Sequence, residues 1–84
     1  MSAPTVTMFS RPGCHLCDDA RVQLTALGRE LGFVLEEVDI ERDDALHRRY
    51  LERIPVVAID GEELSDFFVD EAELRLRLGR VAGG

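Results

Sequence analysis

A small α/β fold of order β-α-β-α-β-β-α, one four-stranded mixed sheet flanked by helices, is what this 84-residue chain predicts. Three observations carry that prediction. The first forty residues read as strand, helix, strand, a βαβ unit whose two strands run parallel with a right-handed crossover. Asp60-Gly61 then stands between two apolar runs, a two-residue turn signal that joins antiparallel strands. Helical periodicity returns on either side of that hairpin, so helices cover both faces of the sheet.

Each element has its own local reason. Thr5 to Ser10 is rich in β-branched and apolar residues and stops at Arg11-Pro12-Gly13, a strand running into a loop. From His15 to Leu31 the apolar residues Leu16, Ala20, Leu24, Leu27 and Leu31 recur at spacings of four and three, and Gly32 is a stop signal. Phe33 to Ile40 reads as the second strand. Asp43 or Asp44 can cap a short helix through about Leu51, with Leu46 and Tyr50 on its buried side and His47 at the surface. Pro55 opens the strand Val56 to Ile59, and Leu64 to Val69 returns antiparallel. Adjacent Phe67 and Phe68 would point to opposite faces of that strand, one into the core and the other over the sheet or towards a partner. Asp70 and Glu73 have capping-box spacing, and a last helix ends at Gly79. The whole, residues 1–84, is read as a single domain, with core enough to need no staples.

The net charge of −7 argues against nucleic acid and anionic membrane surfaces as partners, since both want basic patches. Residues 1–35 balance three Arg with three acids, whereas 36–84 set seven Arg against fourteen acids. Arg48, Arg49 and Arg53 form a basic cluster, best read as a solvated face offsetting nearby acids. The opening residues carry no basic segment and no long apolar run, so no secretory signal or membrane span is expected, and a reducing cytoplasm is the expected compartment.

In that compartment a cysteine pair is catalytic or metal-binding more often than a permanent bridge. Cys14 and Cys17 are the only cysteines, and they stand three apart in Pro12-Gly13-Cys14-His15-Leu16-Cys17. Thiols at i and i+3 share one face of a helix with Cα atoms roughly 5–5.5 Å apart, within disulfide range. The loop they close is too small to restrain an unfolded chain much, so chemistry outranks reinforcement. Cys14 falls where strand becomes helix, and amide groups at a helix N-terminus stabilise a thiolate. Cys17 lies one turn in, more buried. Cys14 is therefore the candidate nucleophile and Cys17 the candidate resolving thiol. His15, as an imidazolium, and Arg11 could add to the positive field, while Asp18 and Asp19 oppose it.

The stretch Met8-Phe9-Ser10-Arg11-Pro12-Gly13-Cys14-His15-Leu16-Cys17, with Arg53-Ile54-Pro55-Val56-Val57 before the third strand and Asp60-Gly61 at the hairpin, resembles the glutaredoxin-like branch of the thioredoxin-fold superfamily. The likeness in element order spans roughly residues 5–79. It implies a thioredoxin-like fold, thiol–disulfide oxidoreductase activity on protein or small-molecule disulfides, and no bound cofactor. It also implies that Pro55 is cis and faces the cysteines. A proline ring donates no hydrogen bond, which leaves the Ile54 backbone to pair with an extended substrate. Arg11, Pro12 and His15 would tune the site, and Ile54 and Pro55 would bind substrate.

Where glutaredoxins carry a Gly-Gly pair and then an acidic residue for the amino end of glutathione, this chain has Glu62-Glu63-Leu64-Ser65-Asp66-Phe67-Phe68. The electron donor is thus either glutathione or a flavin-dependent thioredoxin reductase, with tight glutathione use not expected. Two other classes compete. One is metal handling by Cys14, Cys17, His15 and His47, which suffers because His15 adjoins Cys14 and no second close pair exists, so no metal is expected. The other is a non-catalytic binding module whose cysteines are incidental. A monomer is the default for this size.

Overall fold

A computed structural model describes residues 3–82, with side chains as far as residue 79. The chain runs β1 (Thr5–Ser10), α1 (His15–Leu31), β2 (Val34–Asp39), a 3-10 turn (Ile40–Arg42), α2 (Asp44–Tyr50), β3 (Val56–Ile59), β4 (Glu62–Asp66) and α3 (Glu71–Ala82). The strands lie in the order β2-β1-β3-β4. β1 pairs parallel with β2, from Thr5 opposite Val34 to Ser10 opposite Asp39. It pairs antiparallel with β3, which pairs antiparallel with β4. This is the mixed sheet that the sequence predicts.

Alternation along the strands divides the core between the two faces of the sheet. Val6, Met8, Val57 and Ile59 share the larger cluster with Cys17, Ala20, Leu24 and Leu27 of α1 and Leu74 and Leu78 of α3. On the opposite face Val56 packs with Ile40 and Tyr50, and Phe9, Leu46 and Leu51 close round them. The Phe9 and Tyr50 rings stack at 4.4 Å between centroids. Arg49 and Arg53 cover the Tyr50 ring at 5.3 and 5.6 Å, a cation–π contact from each. Both arginines also pair with Glu63, and Arg53 with Asp66, so two of the three members of the basic cluster, Arg49 and Arg53, offset nearby acids.

Caps set the helix bounds. Asp43 accepts hydrogen bonds from the amides of Ala45 and Leu46 at the start of α2. Asp70 accepts from the Glu73 amide at 3.1 Å before α3. Gly32 ends α1 in the left-handed region at φ 81, where its amide reaches the Gly28 carbonyl.

Four expectations need correction. The buried stripe of α1 begins at Cys17, not Leu16: Cys17, Ala20, Leu24 and Leu27 keep the three-and-four spacing, and Leu16, one residue off that face, is 54% exposed. The return strand begins at Glu62 and ends at Asp66, because the two-residue turn starts pairing at once and a bulge between Val57 and Ala58 takes up one residue of β4. Phe67 and Phe68 therefore lie beyond the strand, where alternation no longer applies, and neither enters the core. Finally, α3 continues past Gly79 to Ala82. A glycine ends a helix when it turns left-handed; one that keeps helical angles merely weakens it.

Candidate functional site

The site is built where β1 gives way to α1. Arg11, Pro12 and Gly13 form an exposed turn, and Gly13 sits at φ 79, a conformation that strains any side chain. That turn delivers Cys14 to the N-cap of α1 in extended conformation. Its Sγ accepts the Cys17 amide at 3.2 Å, and its carbonyl accepts the Asp18 amide at 3.0 Å. Cys14 is half-buried and Cys17 is wholly buried, and both are free thiols.

The two sulfurs occupy unlike surroundings. Burial pushes the Cys17 thiol from its ordinary 9.0 up to about 12, helped by its hydrogen bond to Cys14, while the Arg11 backbone and the Arg21 charge offset only part. Cys17 is therefore protonated at neutral pH, and the half-buried Cys14 is the sulfur that can be reached. The raised value has a consequence for stability. Above about pH 9 the unfolded chain releases this proton while the folded chain keeps it, so stability falls as pH rises from about 9 towards 12. Urea midpoints at pH 8 and 10.5 should fall more in the parent protein than in Cys17→Ala, which lacks the thiol.

A polar network braces the turn from behind. Ser10 Oγ donates to Glu37 Oε2 at 2.7 Å, and Arg21 donates to both Glu37 oxygens at 2.6 Å and to Asp18 at 2.9 Å. One carboxylate thus ties the end of β1 to β2 and α1, and Arg21 holds it below the usual carboxylate range. Arg21 and Glu37 were not singled out from sequence; their only signal is the i, i+4 spacing from Cys17 to Arg21. A cleft of about 250 Å³ opens between the turn and this network. A larger one, about 530 Å³, lies between Glu37 and Leu46 and includes neither cysteine.

The Ile54–Pro55 bond is cis, as the resemblance implied. Register brings it to the same sheet edge as the cysteine turn. Phe9 is opposite Val56 and Val56 is opposite Asp66, so one step further Ser10, Pro55 and Phe67 form a row across the strands. The Phe67 amide donates to the carbonyls of Arg53 and Pro55 at 3.2 and 2.9 Å. Among the described residues, no turn or loop hydrogen bond uses the Ile54 amide or carbonyl. The structure therefore gathers Arg11, Pro12, Cys14, His15, Cys17, Ile54 and Pro55 at one edge. Arg11 and His15 are exposed there. Among the described residues no group of three His, Cys, Asp or Glu side chains could hold a metal ion, and no helix is long and apolar enough to cross a membrane.

A cysteine pair at a helix N-terminus and a cis-proline at the same sheet edge, on this topology, define a thioredoxin-fold protein. Residues 5–79 match the family described as glutaredoxin-like domain (DUF836), and the chain belongs to that family. An uncharacterized protein of Mycobacterium tuberculosis is 36% identical over 89 residues, covering 100% of this chain and 92% of its own. The solution NMR structure of protein Ne2328 from Nitrosomonas europaea superposes with a TM-score of 0.82 at 28% identity, covering 92% of this chain and 93% of that one. Fasciola hepatica thioredoxin shares the fold at 23% identity, with a TM-score of 0.64 over 94% of this chain and 81% of its own.

Proposed function

We propose that the protein is a thiol–disulfide oxidoreductase that reduces disulfides with the Cys14–Cys17 dithiol. The observation that carries this reading is the asymmetry of the pair: a reachable Cys14 at the N-cap of α1, and a buried, protonated Cys17 whose amide is bonded to the Cys14 sulfur. The Cys14 thiolate attacks one sulfur of a substrate disulfide, forming a mixed disulfide and releasing the other substrate sulfur as a thiolate. Cys17 then gives up its proton and attacks the Cys14 sulfur, closing the Cys14–Cys17 disulfide and expelling the second substrate thiolate. The substrate gains two electrons and the protein loses two. Two thiols of glutathione, or a flavin-dependent reductase, return them. The unengaged Ile54 backbone beside Pro55 supports pairing with an extended substrate during the first attack.

The test is a redox titration in graded dithiothreitol and glutathione buffers, quenched by alkylation and read by mass spectrometry. A reversible two-electron transition with a midpoint between about −300 and −120 mV is expected. A stable glutathione adduct on Cys14 would assign glutathione as the donor. Thiols that alkylate independently at every potential would overturn the exchange mechanism in favour of a binding module or metal handling.

A further inference from the structure

Phe67 adopts φ +68, a left-handed conformation that is an outlier for a bulky residue and one that glycine takes without strain. Such strain persists where surrounding structure enforces it, and it marks candidate functional positions. Here the Phe67 amide is held by the Arg53 and Pro55 carbonyls, and the Ser65 hydroxyl donates to the Phe68 carbonyl at 2.9 Å. The fold gains little packing in return, for Phe67 is 52% and Phe68 61% exposed. On the helix side of the same edge Leu16, set between the two cysteines, is 54% exposed. Arg11, also exposed, takes part in none of the ion pairs among the described residues.

From these placements we infer that Phe67, Phe68 and Leu16 form a docking surface for an extended segment of a partner protein that carries the disulfide. Apolar side chains on either side of the partner's half-cystine rest on the aromatics and on Leu16, and an acidic side chain faces Arg11. Arg11, which makes no ion pair among the described residues, selects that acid, and continuity with Cys14 and the Ile54 backbone fixes where the segment lies. The inference rests on the exchange reading above and narrows it: a small polar disulfide, with no apolar side chain to offer, reacts at the same sulfur without using this surface.

Stopped-flow release of thionitrobenzoate tests it, with the reduced protein and two ten-residue peptides each carrying one cysteine as its thionitrobenzoate disulfide. One peptide flanks the cysteine with Leu, Phe and Asp, the other with Ser, Gln and Lys, and the mercaptoethanol adduct serves as a third compound. The parent protein should react about tenfold faster with the first peptide than with the second, the scale of one or two aromatic anchors. Phe67→Gly should bring that ratio close to one while its melting temperature stays at or above the parent's. Phe68→Ser should lower the ratio too, and it does not touch the strained position. Equal rates for both peptides in the parent, a ratio that survives in both variants, or a lower melting temperature in Phe67→Gly would overturn the inference alone. Failure of the parent to react with any of the three compounds would overturn the exchange reading and this inference with it.

Discussion

Replacing Cys14 by Ser is expected to abolish disulfide reduction, a loss on the order of 10³-fold or more, with no loss of fold. A hydroxyl does not replace the thiolate as nucleophile at neutral pH, and Cys17 is too buried and too firmly protonated to take over. The fold survives because the Cys14 sulfur also accepts the Cys17 amide, and serine is among the best residues for that capping bond. Insulin reduction and a thermal melt, run on one preparation, check both halves. The matched variant Cys17→Ser should stop one step later. It retains the attacking sulfur but lacks the resolving one, so whole-protein mass spectrometry should find it carrying a substrate thiol. A binding module with incidental cysteines would show neither effect and would keep its partner in the Cys14→Ser variant.

Leu24→Ala should have the largest effect on stability. Leu24 is fully buried on the face of α1 turned to the sheet, in the cluster that holds Val6, Met8 and Leu74. Truncating such a side chain costs about 2–5 kcal/mol in lost transfer energy and residual cavity. A chain of this length has about 4–12 kcal/mol in all. At about 4–8 °C per kcal/mol, the melting temperature should fall by roughly 10 °C or more. Urea denaturation measures it. A loss below about 1 kcal/mol would mean that the α1–sheet contact is looser than the burial of Leu24 shows.

The fold was legible because its signals are short-range. The bounds of α1, the Gly32 stop, the Asp43 and Asp70 caps and the Asp60-Gly61 hairpin each follow from residues within one or two turns. What escaped prediction depends on geometry that spacing alone leaves open. Leu16 and Cys17 both fit an apolar stripe, and only the angle at which α1 meets the sheet puts Cys17 inside and Leu16 out. The bulge in β4 shifts the strand by a residue, and no local residue announces it. Phe67 and Phe68 read as strand residues because nothing in two phenylalanines signals a left-handed turn. At the site the thiols, the turn before them and Pro55 were readable as a motif. The brace made by Ser10, Arg21 and Glu37 was not, since it joins three elements that come together only after the sheet has formed.

The sheet is unevenly backed. One face carries a deep layer beneath α1 and α3; the other rests on Ile40, Tyr50 and Val56 under a helix of seven residues. Local opening follows buried apolar contact, so amide protons of β1 and α1 should exchange only when the whole domain unfolds, and those of α2 far sooner. The two halves of the site thus stand on ground of different firmness. The thiols are fixed to the deeper layer, whereas Ile54, next to the cis-proline, packs against both layers. Opening of α2 would then loosen the Ile54 side of this edge while the helical turn that carries both thiols keeps its place.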